Sequence, residues 1–198
     1  MKRYEFEMVT TRNGDRGTST DFSGNSMSKG DLLFEVNGQL DELSSWLGKC
    51  KHCFPTDGDS VINLIRYSLK DLQLWLQWGG SLISTDPKFN YEISTQPTNP
   101  AYDKLTKITD KEIEEIEKNE KWLLSQGVVI QPNFILPGGT PASADIDIAR
   151  TVCRRAERTL VRFMTANPGR HDLKNLSILL NRMSDFLFIL ARFEEQHQ

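Results

Sequence analysis

Two stretches of the chain repeat apolar residues at steps of three and four, the spacing that places side chains on one face of an α-helix. One stretch runs from Ile62 to Ile83 and the other from Leu176 to Leu190. No segment shows the sustained alternation that is typical of a strand. Because long apolar helix faces must pack against one another, the sequence predicts an all-α fold, an up-and-down bundle of about five helices.

Three shorter patterns predict the other helices. They are an apolar repeat from Val36 to Leu47, a capping box at Thr109 and Glu112 that opens a polar helix ending near Ser125, and a helix start at Thr140–Pro141 followed by an end before Asn167. A hydroxyl at a helix start caps free backbone N–H groups, and a proline there loses no hydrogen bond. Residues 85–107 contain three prolines among polar residues and predict a long surface loop.

Composition and charge exclude several classes of protein. A length of 198 residues suits one domain, and 38% apolar with 26% charged residues is typical of a soluble globular protein. The net charge of −3 offers no basic field for nucleic acid. The longest apolar run, residues 186–191, is far shorter than the roughly 20 residues of a membrane span. Without an apolar signal segment we expect a cytoplasmic protein, or a mitochondrial matrix protein if a transit peptide has been removed.

The candidate metal-binding and redox residues are few. The cysteines are Cys50, Cys53 and Cys153, an odd number that suggests reduced thiols. Cys50 and Cys53 form a CxxC, which is either a redox pair or half a zinc site, but no second pair completes four ligands. A di-iron bundle needs two Glu-x-x-His pairs, and only Glu194 to His197 occurs. We therefore predict no metal site and favour two unreactive thiols near a helix end.

The helix that begins at Thr140 carries three arginines in a line. Arg150, Arg154 and Arg158 recur every four residues, with Glu157 beside them. The opposite stripe is apolar and is expected to face a core; its members are Ile148, Ala149, Val152, Ala156, Leu160 and Phe163. A planar guanidinium binds phosphate or carboxylate through two hydrogen bonds. Like charges one turn apart repel, so an anion site explains the stripe better than a solvated face does.

The N-terminal residues 8–31 are rich in Gly, Ser, Thr, Asn and Asp. Within them, TRNGDRGTST at residues 11–20 offers glycines that let backbone N–H groups approach a ligand, together with hydroxyls and Arg12. Lys29 is close enough in sequence to reach the same anion. The P-loop pattern GxxxxGK[ST] is absent. Composition alone leaves two interpretations open, a disordered polar tail and an anion-binding loop.

Other polar and aromatic residues each have two interpretations. Asp41, next to Leu40 on the first helix, is either an ordinary surface charge or a clamp that orients an arginine. Phe134 is either a core residue or an aromatic wedge at the mouth of a pocket. Asn181 and Asp185 interrupt a strongly apolar helix. They form either a buried hydrogen-bond network or contacts with a ligand.

Four segments, in order, resemble the PduO-type ATP:cob(I)alamin adenosyltransferase family. They are TRNGDRG with the Ser/Thr run and Lys29 after it, GQLDELSSWLG, NFILPGGTPASADIDIARTVCRRAER and NRMSDFLFILAR. They are similar to the family patterns T[RK]TGDxG, G-x-x-DEL-[NS]-S-x-x-G, FxLPGG…ARxxCRRAER and LNRxSDxLFxLAR. The resemblance covers nearly the whole chain, and STDFSG at residues 19–24 is closer to the mitochondrial members.

The resemblance implies an enzyme that transfers the 5′-deoxyadenosyl group of ATP to cob(I)alamin, giving adenosylcobalamin and triphosphate. It implies a single domain, with an ATP-binding loop in residues 1–31 and a ferritin-like five-helix bundle in residues 32–198. It also implies a homotrimer with its sites at subunit interfaces, binding of ATP, Mg²⁺ and cobalamin, a reductase as electron donor and an adenosylcobalamin-dependent acceptor enzyme.

The resemblance also assigns residues to the site. The implied ATP-binding residues are Thr11, Arg12, Asn13, Gly14, Ser19, Thr20, Lys29, Arg154, Glu157, Arg158 and Asn181. The implied catalytic residues are Arg150, Arg154, Asp41 and Phe134. Arg150 would pair with Asp41 across the site, and Phe134 would close the lower face of the cobalt and displace its axial nitrogen ligand.

The implied chemistry suits the residues of this chain. Cob(I)alamin is itself a strong nucleophile, so the lack of a Ser/His/Asp or Cys/His set is expected. The protein must place the 5′-carbon over the cobalt and stabilise charge on the leaving triphosphate. Asn13, Asp21 and Gly30 depart from the family pattern in the loop. They keep an alternative open, a non-catalytic adenosylcobalamin carrier or a nucleotide or cobalamin sensor.

Overall fold

The structure is a computed structural model that describes residues 6–57, 59–87 and 99–197. Its elements in chain order are helix α1 (Phe6–Val9), strands β1 (Thr18–Thr20) and β2 (Ser26–Ser28), helices α2 (Leu32–Lys51), α3 (Ser60–Ile83), α4 (Pro100–Asp103), α5 (Asp110–Ser125) and α6 (Pro141–Ala166), a 3-10 turn (His171–Leu173) and helix α7 (Lys174–Gln196). The predicted loop of residues 85–107 contains α4, and its residues 88–98 lie outside the described part. None of the described helices has the length and apolar character needed to cross a membrane.

The five long helices form the bundle. α6 packs against α7 on one side and α2 on the other, α3 packs on α2, and α5 packs on α7. The side-by-side order is therefore α3, α2, α6, α7, α5. Their inward faces carry the apolar repeats, and Leu43, Leu69, Leu160 and Leu180 are completely buried. The predicted all-α bundle of five helices is confirmed, because each apolar face found a neighbouring helix to cover it.

Helix starts lie where capping side chains predict them. Thr109 and Glu112 form the predicted capping box of α5, and the Thr140 side chain accepts from the Ser143 amide at the start of α6. Asp31 caps α2 in the same way, its Oδ1 accepting from the Leu33 amide at 2.9 Å. Each cap contributes about 1 kcal/mol to helix stability.

Three ion pairs cross between α2 and α6, which run antiparallel. They are Lys49–Asp145, Glu42–Arg155 and Glu35–Arg162. Pairs on exposed surfaces contribute less than about 1 kcal/mol each. Their main consequence is to fix how α2 and α6 are aligned along their axes.

The N-terminal segment differs from the structureless loop that composition predicts. β1 and β2 form an antiparallel hairpin with Thr18 opposite Ser28. The Asp21 side chain closes the turn, because its Oδ1 accepts from the Asn25 amide at 2.8 Å. Strands of three residues are too short for alternation to show in a sequence.

The hairpin is attached to the end of α3. The Phe22 amide donates to the Ser84 carbonyl at 2.8 Å. The Ser23 hydroxyl oxygen accepts from the Asp86 amide at 3.1 Å and from Asn99 Nδ2 at 3.4 Å. The bundle therefore holds the segment that the sequence singles out as an anion-binding loop.

Candidate functional site

The predicted arginine stripe lies on the outer surface of α6. Arg154 and Arg158 are exposed and form no hydrogen bond or ion pair with any described residue. Between them, Glu157 is half-buried, and its Oε1 accepts from Nδ2 of Asn181 on α7 at 3.2 Å. Two available guanidinium groups thus flank an ordered carboxylate–amide pair on a rigid helix, an arrangement suited to an anionic ligand.

For one member of the predicted core stripe of α6, the prediction that it faces the core is wrong. Ile148 is exposed, whereas Ala149, Val152 and Ala156 are buried. Position 148 lies about 100° around the helix from Ala149, which points at the centre of the bundle. Ile148 instead lines a shallow cavity of about 220 Å³ beside Gly138.

Asn181 belongs to a hydrogen-bond network on α7, one of its two predicted roles. Its Oδ1 accepts from Arg182 Nη1 at 3.0 Å, and Arg182 Nε donates to Glu117 Oε1 on α5 at 2.8 Å. Asp185 is exposed, with Oδ2 at 3.6 Å from Arg182 Nη1. The sequence did not single out Arg182 or Glu117, because no local pattern marks a pair 65 residues apart.

Glu120, on α5 beside this network, has a raised pKa of about 7. Burial is the main cause, and the negative charge of Asp185 is the second, while Arg182 partly offsets both. The Glu120 Oε1 atom is buried and has no hydrogen-bond partner among the described residues. A carboxyl group that changes charge near neutral pH therefore lies at the α5–α7 contact.

The predicted ATP loop is shaped by backbone turns. The Gly17 amide donates to the Gly14 carbonyl at 3.2 Å, and the Lys29 amide donates to the Gly17 carbonyl at 2.9 Å. Arg12 has a φ of 58°, a left-handed conformation that costs roughly 1–2 kcal/mol. The Lys29 ammonium lies over Gly14, where an added Cβ would come within 2.5 Å of Nζ. A side chain at position 14 would therefore displace the Lys29 ammonium from this position.

The polar side chains of this loop are left available. Side chains of the loop without a hydrogen-bond partner in the described part of the chain include Thr11, Arg12, Asn13, Ser19, Thr20 and Lys29. Their donors, with the backbone of Gly14 beneath the Lys29 ammonium, suit a phosphate-bearing ligand. The structure therefore favours the anion-binding interpretation over the disordered tail.

Two of the departures from the family pattern have structural roles here. The Asp21 carboxylate holds the hairpin turn, and its Oδ2 also accepts from Asn25 Nδ2 at 3.0 Å. The Gly30 amide donates to the Ser28 hydroxyl oxygen at 3.1 Å, just before α2 begins. Asn13 is exposed, and no contact in the described residues explains it.

Asp41 lines a groove of about 540 Å³ between α2 and α3, with Asn37 and Gln73. The Asn37 Oδ1 atom is buried there without a partner among the described residues. Within the described part of one chain Asp41 makes no ion pair. Arg150 instead donates from Nε to Asp147 Oδ1 at 3.1 Å. One chain alone does not bring the predicted Asp41–Arg150 pair together.

Phe134 is fully exposed on the connection between α5 and α6, residues 126–140, here named the Phe134 loop. It is not a core residue. The loop ends in a turn that demands glycine twice. Gly138 has a φ of 91°, and a Cβ on Gly139 would come within 2.6 Å of the Glu195 carboxylate. The turn therefore fixes where the loop leaves α6.

The cysteines are free thiols of low reactivity. Burial raises the pKa of Cys50 to about 12 and also raises the pKa of Cys53 and of Cys153. Because the thiolate is the reactive form, these environments oppose redox or ligand chemistry. Among the described residues no group of three His, Cys, Asp or Glu side chains is placed to hold a metal ion.

The predicted parts of the site are not bonded to one another within the described residues of one chain. No hydrogen bond or ion pair within the described residues joins the N-terminal loop to Arg154 or Arg158, or either of these to the groove at Asp41. Contacts of this kind among the described residues of one chain therefore do not assemble the predicted site.

Comparison with known proteins finds the same family over almost the whole chain. The model of the family described as cobalamin adenosyltransferase matches residues 9–194. Corrinoid adenosyltransferase MMAB of Bos taurus is 34% identical over 187 residues, which cover 93% of this chain and 70% of that protein. Corrinoid adenosyltransferase PduO of Citrobacter freundii is 33% identical over 187 residues, which cover 94% of this chain and 50% of that protein.

A solved structure agrees in fold. It is a phenylalanine-to-alanine variant of the PduO-type ATP:corrinoid adenosyltransferase from Lactobacillus reuteri, complexed with cobalamin and ATP. The TM-score is 0.73 at 27% sequence identity, covering 95% of this chain and 93% of that one. An arginine-to-lysine variant complexed with ATP gives a TM-score of 0.69 at 28% identity, covering 94% and 93%. This chain belongs to the cobalamin adenosyltransferase family.

Proposed function

We propose that the chain transfers the 5′-deoxyadenosyl group of ATP to cob(I)alamin, giving adenosylcobalamin and triphosphate. The observation that carries this proposal is the pair of available guanidinium groups, Arg154 and Arg158, beside the ordered Glu157 on α6. The PduO-type relative from Lactobacillus reuteri has been solved with cobalamin and ATP together, which supports both substrates.

The reaction is a substitution at carbon. Cobalt(I) of the substrate supplies an electron pair to the 5′-carbon, and the cobalt–carbon bond forms as the bond from that carbon to oxygen breaks. The electron pair of the broken bond leaves on triphosphate, and cobalt becomes formally cobalt(III). Because no proton must move, the protein needs to position the two substrates and stabilise negative charge on the leaving group.

The ATP contacts would come from two surfaces. Those proposed are Thr11, Arg12, Asn13, Gly14, Ser19, Thr20 and Lys29 from the N-terminal loop, and Arg154, Glu157, Arg158 and Asn181 from α6 and α7. Mg²⁺ would accompany ATP and be held mostly by phosphate oxygens and water, as is usual for this ion.

The site is proposed to be completed by assembly as a homotrimer, with the N-terminal loop of one subunit facing α6 of the next. Support comes from the lack, within the described residues of one chain, of any hydrogen bond or ion pair between the N-terminal loop and Arg154 or Arg158. Arg150 uses only its Nε in the bond to Asp147, so both terminal nitrogens of its guanidinium remain for Asp41 of a neighbouring subunit.

Phe134 is proposed to cover the lower face of the cobalt and displace its axial nitrogen ligand. Its complete exposure in one chain supports this role, since burying an exposed aromatic ring on a ligand is favourable. We further propose one domain, with residues 1–31 as the ATP-binding loop and residues 32–198 as the bundle. A reductase and an adenosylcobalamin-dependent acceptor are the partners that this chemistry requires; a cytoplasmic or mitochondrial matrix location stays a prediction.

An anaerobic assay tests the proposed function. The chain is mixed with cob(I)alamin and Mg-ATP, and the absorbance spectrum is followed from cob(I)alamin to adenosylcobalamin. We expect conversion of many equivalents per subunit, and none when ATP is omitted. Binding of ATP or adenosylcobalamin without turnover would instead support the carrier or sensor.

A further inference from the structure

The last turn of α7 holds the start of the Phe134 loop. The Gln196 side chain accepts from the Val129 amide at 2.9 Å and donates to the Val129 carbonyl at 2.9 Å. His197 Nε2 lies 3.2 Å from the Gln126 carbonyl oxygen. Beyond these bonds, residues 130–138 form no hydrogen bond with any described residue. The position of Phe134 therefore depends on how the two ends of its loop are held.

The same turn of α7 holds the other end of the loop. Glu195 Oε1 accepts from the Gly139 amide at 3.0 Å and from the Ser143 hydroxyl at 2.8 Å. The neighbouring Glu194 accepts from the Thr140 hydroxyl. Because a Cβ at position 139 would collide with the Glu195 carboxylate, the turn and this side chain are fitted to each other.

Glu195 also joins a buried cluster of charges that ends at Arg150. Arg192, only 2% exposed, donates from Nη2 to Glu195 Oε1 at 3.1 Å and to Asp147 Oδ2 at 2.6 Å. Arg150 Nε then donates to the other oxygen of Asp147 at 3.1 Å. An unbroken series of hydrogen bonds thus runs from the Gly139 amide, through two carboxylates and one guanidinium, to Arg150.

The cluster is balanced in charge. Two carboxylates face two guanidinium groups, and Asp147 and Arg192 are almost completely buried. A buried guanidinium that loses a carboxylate is left without its counter-charge, so its neighbours must shift. A shift at Glu195 would move the loop through Gly139 and Arg150 through Asp147.

We propose that Glu195 is a positioning residue that holds the Phe134 loop and Arg150 in a fixed relation to each other. The expected effect of Glu195 on catalysis rests on the proposed function. Loss of the Glu195 carboxylate should loosen the loop, so that Phe134 displaces the axial ligand less often. The ATP contacts of Arg154 and Lys29 lie elsewhere and should be unaffected.

The kinetic test compares Glu195→Ala, Glu195→Gln and Glu115→Gln. Misplacement of a catalytic group costs about tenfold to a hundredfold in rate, so Glu195→Ala should lose that much kcat while KM for ATP changes less than about twofold. Glu195→Gln keeps an acceptor for the Gly139 amide but loses the negative charge. Its kcat should lie between the values of Glu195→Ala and of the unsubstituted chain. Glu115, whose carboxylate pairs with the exposed Lys118 at 3.5 Å and forms no hydrogen bond within the described residues, is the control and should match the unsubstituted chain.

A spectroscopic test separates positioning from stability. Cob(II)alamin is bound with Mg-ATP, and the hyperfine splitting from the axial nitrogen is followed by electron paramagnetic resonance. The unsubstituted chain should lose the splitting, and Glu195→Ala should keep it while its circular dichroism stays unchanged. If Glu195→Ala fails to fold, Gln196→Ala takes its place, because it removes only the two bonds to Val129 at the other end of the loop.

A ligand-free readout tests the inference without the proposed function. Hydrogen exchange at the Gly139 amide should be at least tenfold faster in Glu195→Ala than in Glu115→Gln. Unchanged exchange, kcat and splitting in a folded Glu195→Ala would overturn the positioning role. An unsubstituted chain that makes no adenosylcobalamin would overturn the proposed function instead, and the exchange result would then decide whether Glu195 holds the loop.

Discussion

The arginines of α6 differ sharply in their partners. Arg155 and Arg162 each pair with a glutamate of α2 and so serve the packing of two helices. Arg154 and Arg158 have no such partner in the described part of the chain, although Glu157 lies beside them. Glu157 is engaged by an amide of α7. The contrast between neighbouring residues of one type is the strongest reason to place a ligand on this face.

Arg154→Ala should reduce turnover by about a hundredfold or more, because removing one preorganised donor to developing charge typically costs 10²–10³ in kcat. The fold should persist, since Arg154 supports no other described side chain. Arg162→Ala is the matched control, an exposed arginine of the same helix, and should retain nearly full activity. Turnover, with circular dichroism as the fold check, measures both. Near-normal activity of Arg154→Ala would refute its role.

At the scale of single elements, local rules predicted most of what is seen. Capping side chains at Thr109 and Thr140 marked helix starts, because a cap depends only on residues within one turn. The exposure of Ile148 was not predictable from its own helix, because it depends on which helices flank α6. The hairpin closed by Asp21 was missed because its strands are only three residues long.

Two helical glycines should respond in opposite ways to alanine. Gly38 has open space around it in α2, so Gly38→Ala should raise the free energy of unfolding by about 0.5–1 kcal/mol. Gly79 in α3 packs against Leu176, and a Cβ there would come within 2.7 Å of its side chain. Overpacking costs about 1–3 kcal/mol, which exceeds the helix-propensity gain, so Gly79→Ala should destabilise. Urea unfolding of both variants measures the two changes in the free energy of unfolding. A Gly79→Ala variant that is more stable than the unsubstituted chain would contradict the close packing of Gly79 against Leu176.

The α5–α7 contact should make stability depend on pH through Glu120. Folding raises its pKa from 4.5 to about 7 by burial and by the nearby Asp185 and Glu117, while Arg182 and Lys121 act in the opposite direction. The folded state therefore favours the protonated form. That contribution to stability is fully present below about pH 4.5 and is lost as the pH rises through about 7.

Glu120→Gln mimics the protonated form and should remove this loss. The free energy of unfolding, measured by urea titration from pH 5 to 8, should fall less with pH in Glu120→Gln than in the unsubstituted chain. Glu114→Gln, an exposed carboxylate of the same helix, should leave the profile unchanged. Parallel profiles for Glu120→Gln and the unsubstituted chain would show that Glu120 does not titrate in this range.

For the whole molecule, the sequence was sufficient to predict the helix bundle but not the contacts between residues that are distant in sequence. The apolar repeats dictate that five helices pack, and the motifs single out the surfaces that are proposed to face the ligands. The cluster joins Asp147 to Arg192 and Glu195, which lie 45 or more residues further along the chain, so only the folded chain reveals it.

Mixing of inactive subunits tests whether the site lies between chains. Asp41→Ala and Arg150→Ala should each be inactive alone, because each removes one side of the proposed pair. Mixed trimers, formed by refolding the two variants together, should regain part of the activity at interfaces where Asp41 and Arg150 are both intact. Native mass spectrometry verifies the mixing. Mixed trimers without activity would contradict a site shared between subunits.

Product stoichiometry tests the central claim most directly. Adenosylcobalamin and triphosphate are quantified together in an anaerobic reaction of the chain with cob(I)alamin and Mg-ATP, over many equivalents per subunit. The account predicts one triphosphate for each adenosylcobalamin, with both continuing to accumulate past one equivalent. ATP that stays intact, or adenosylcobalamin that never exceeds what the subunits bind, would contradict it and identify a carrier or sensor.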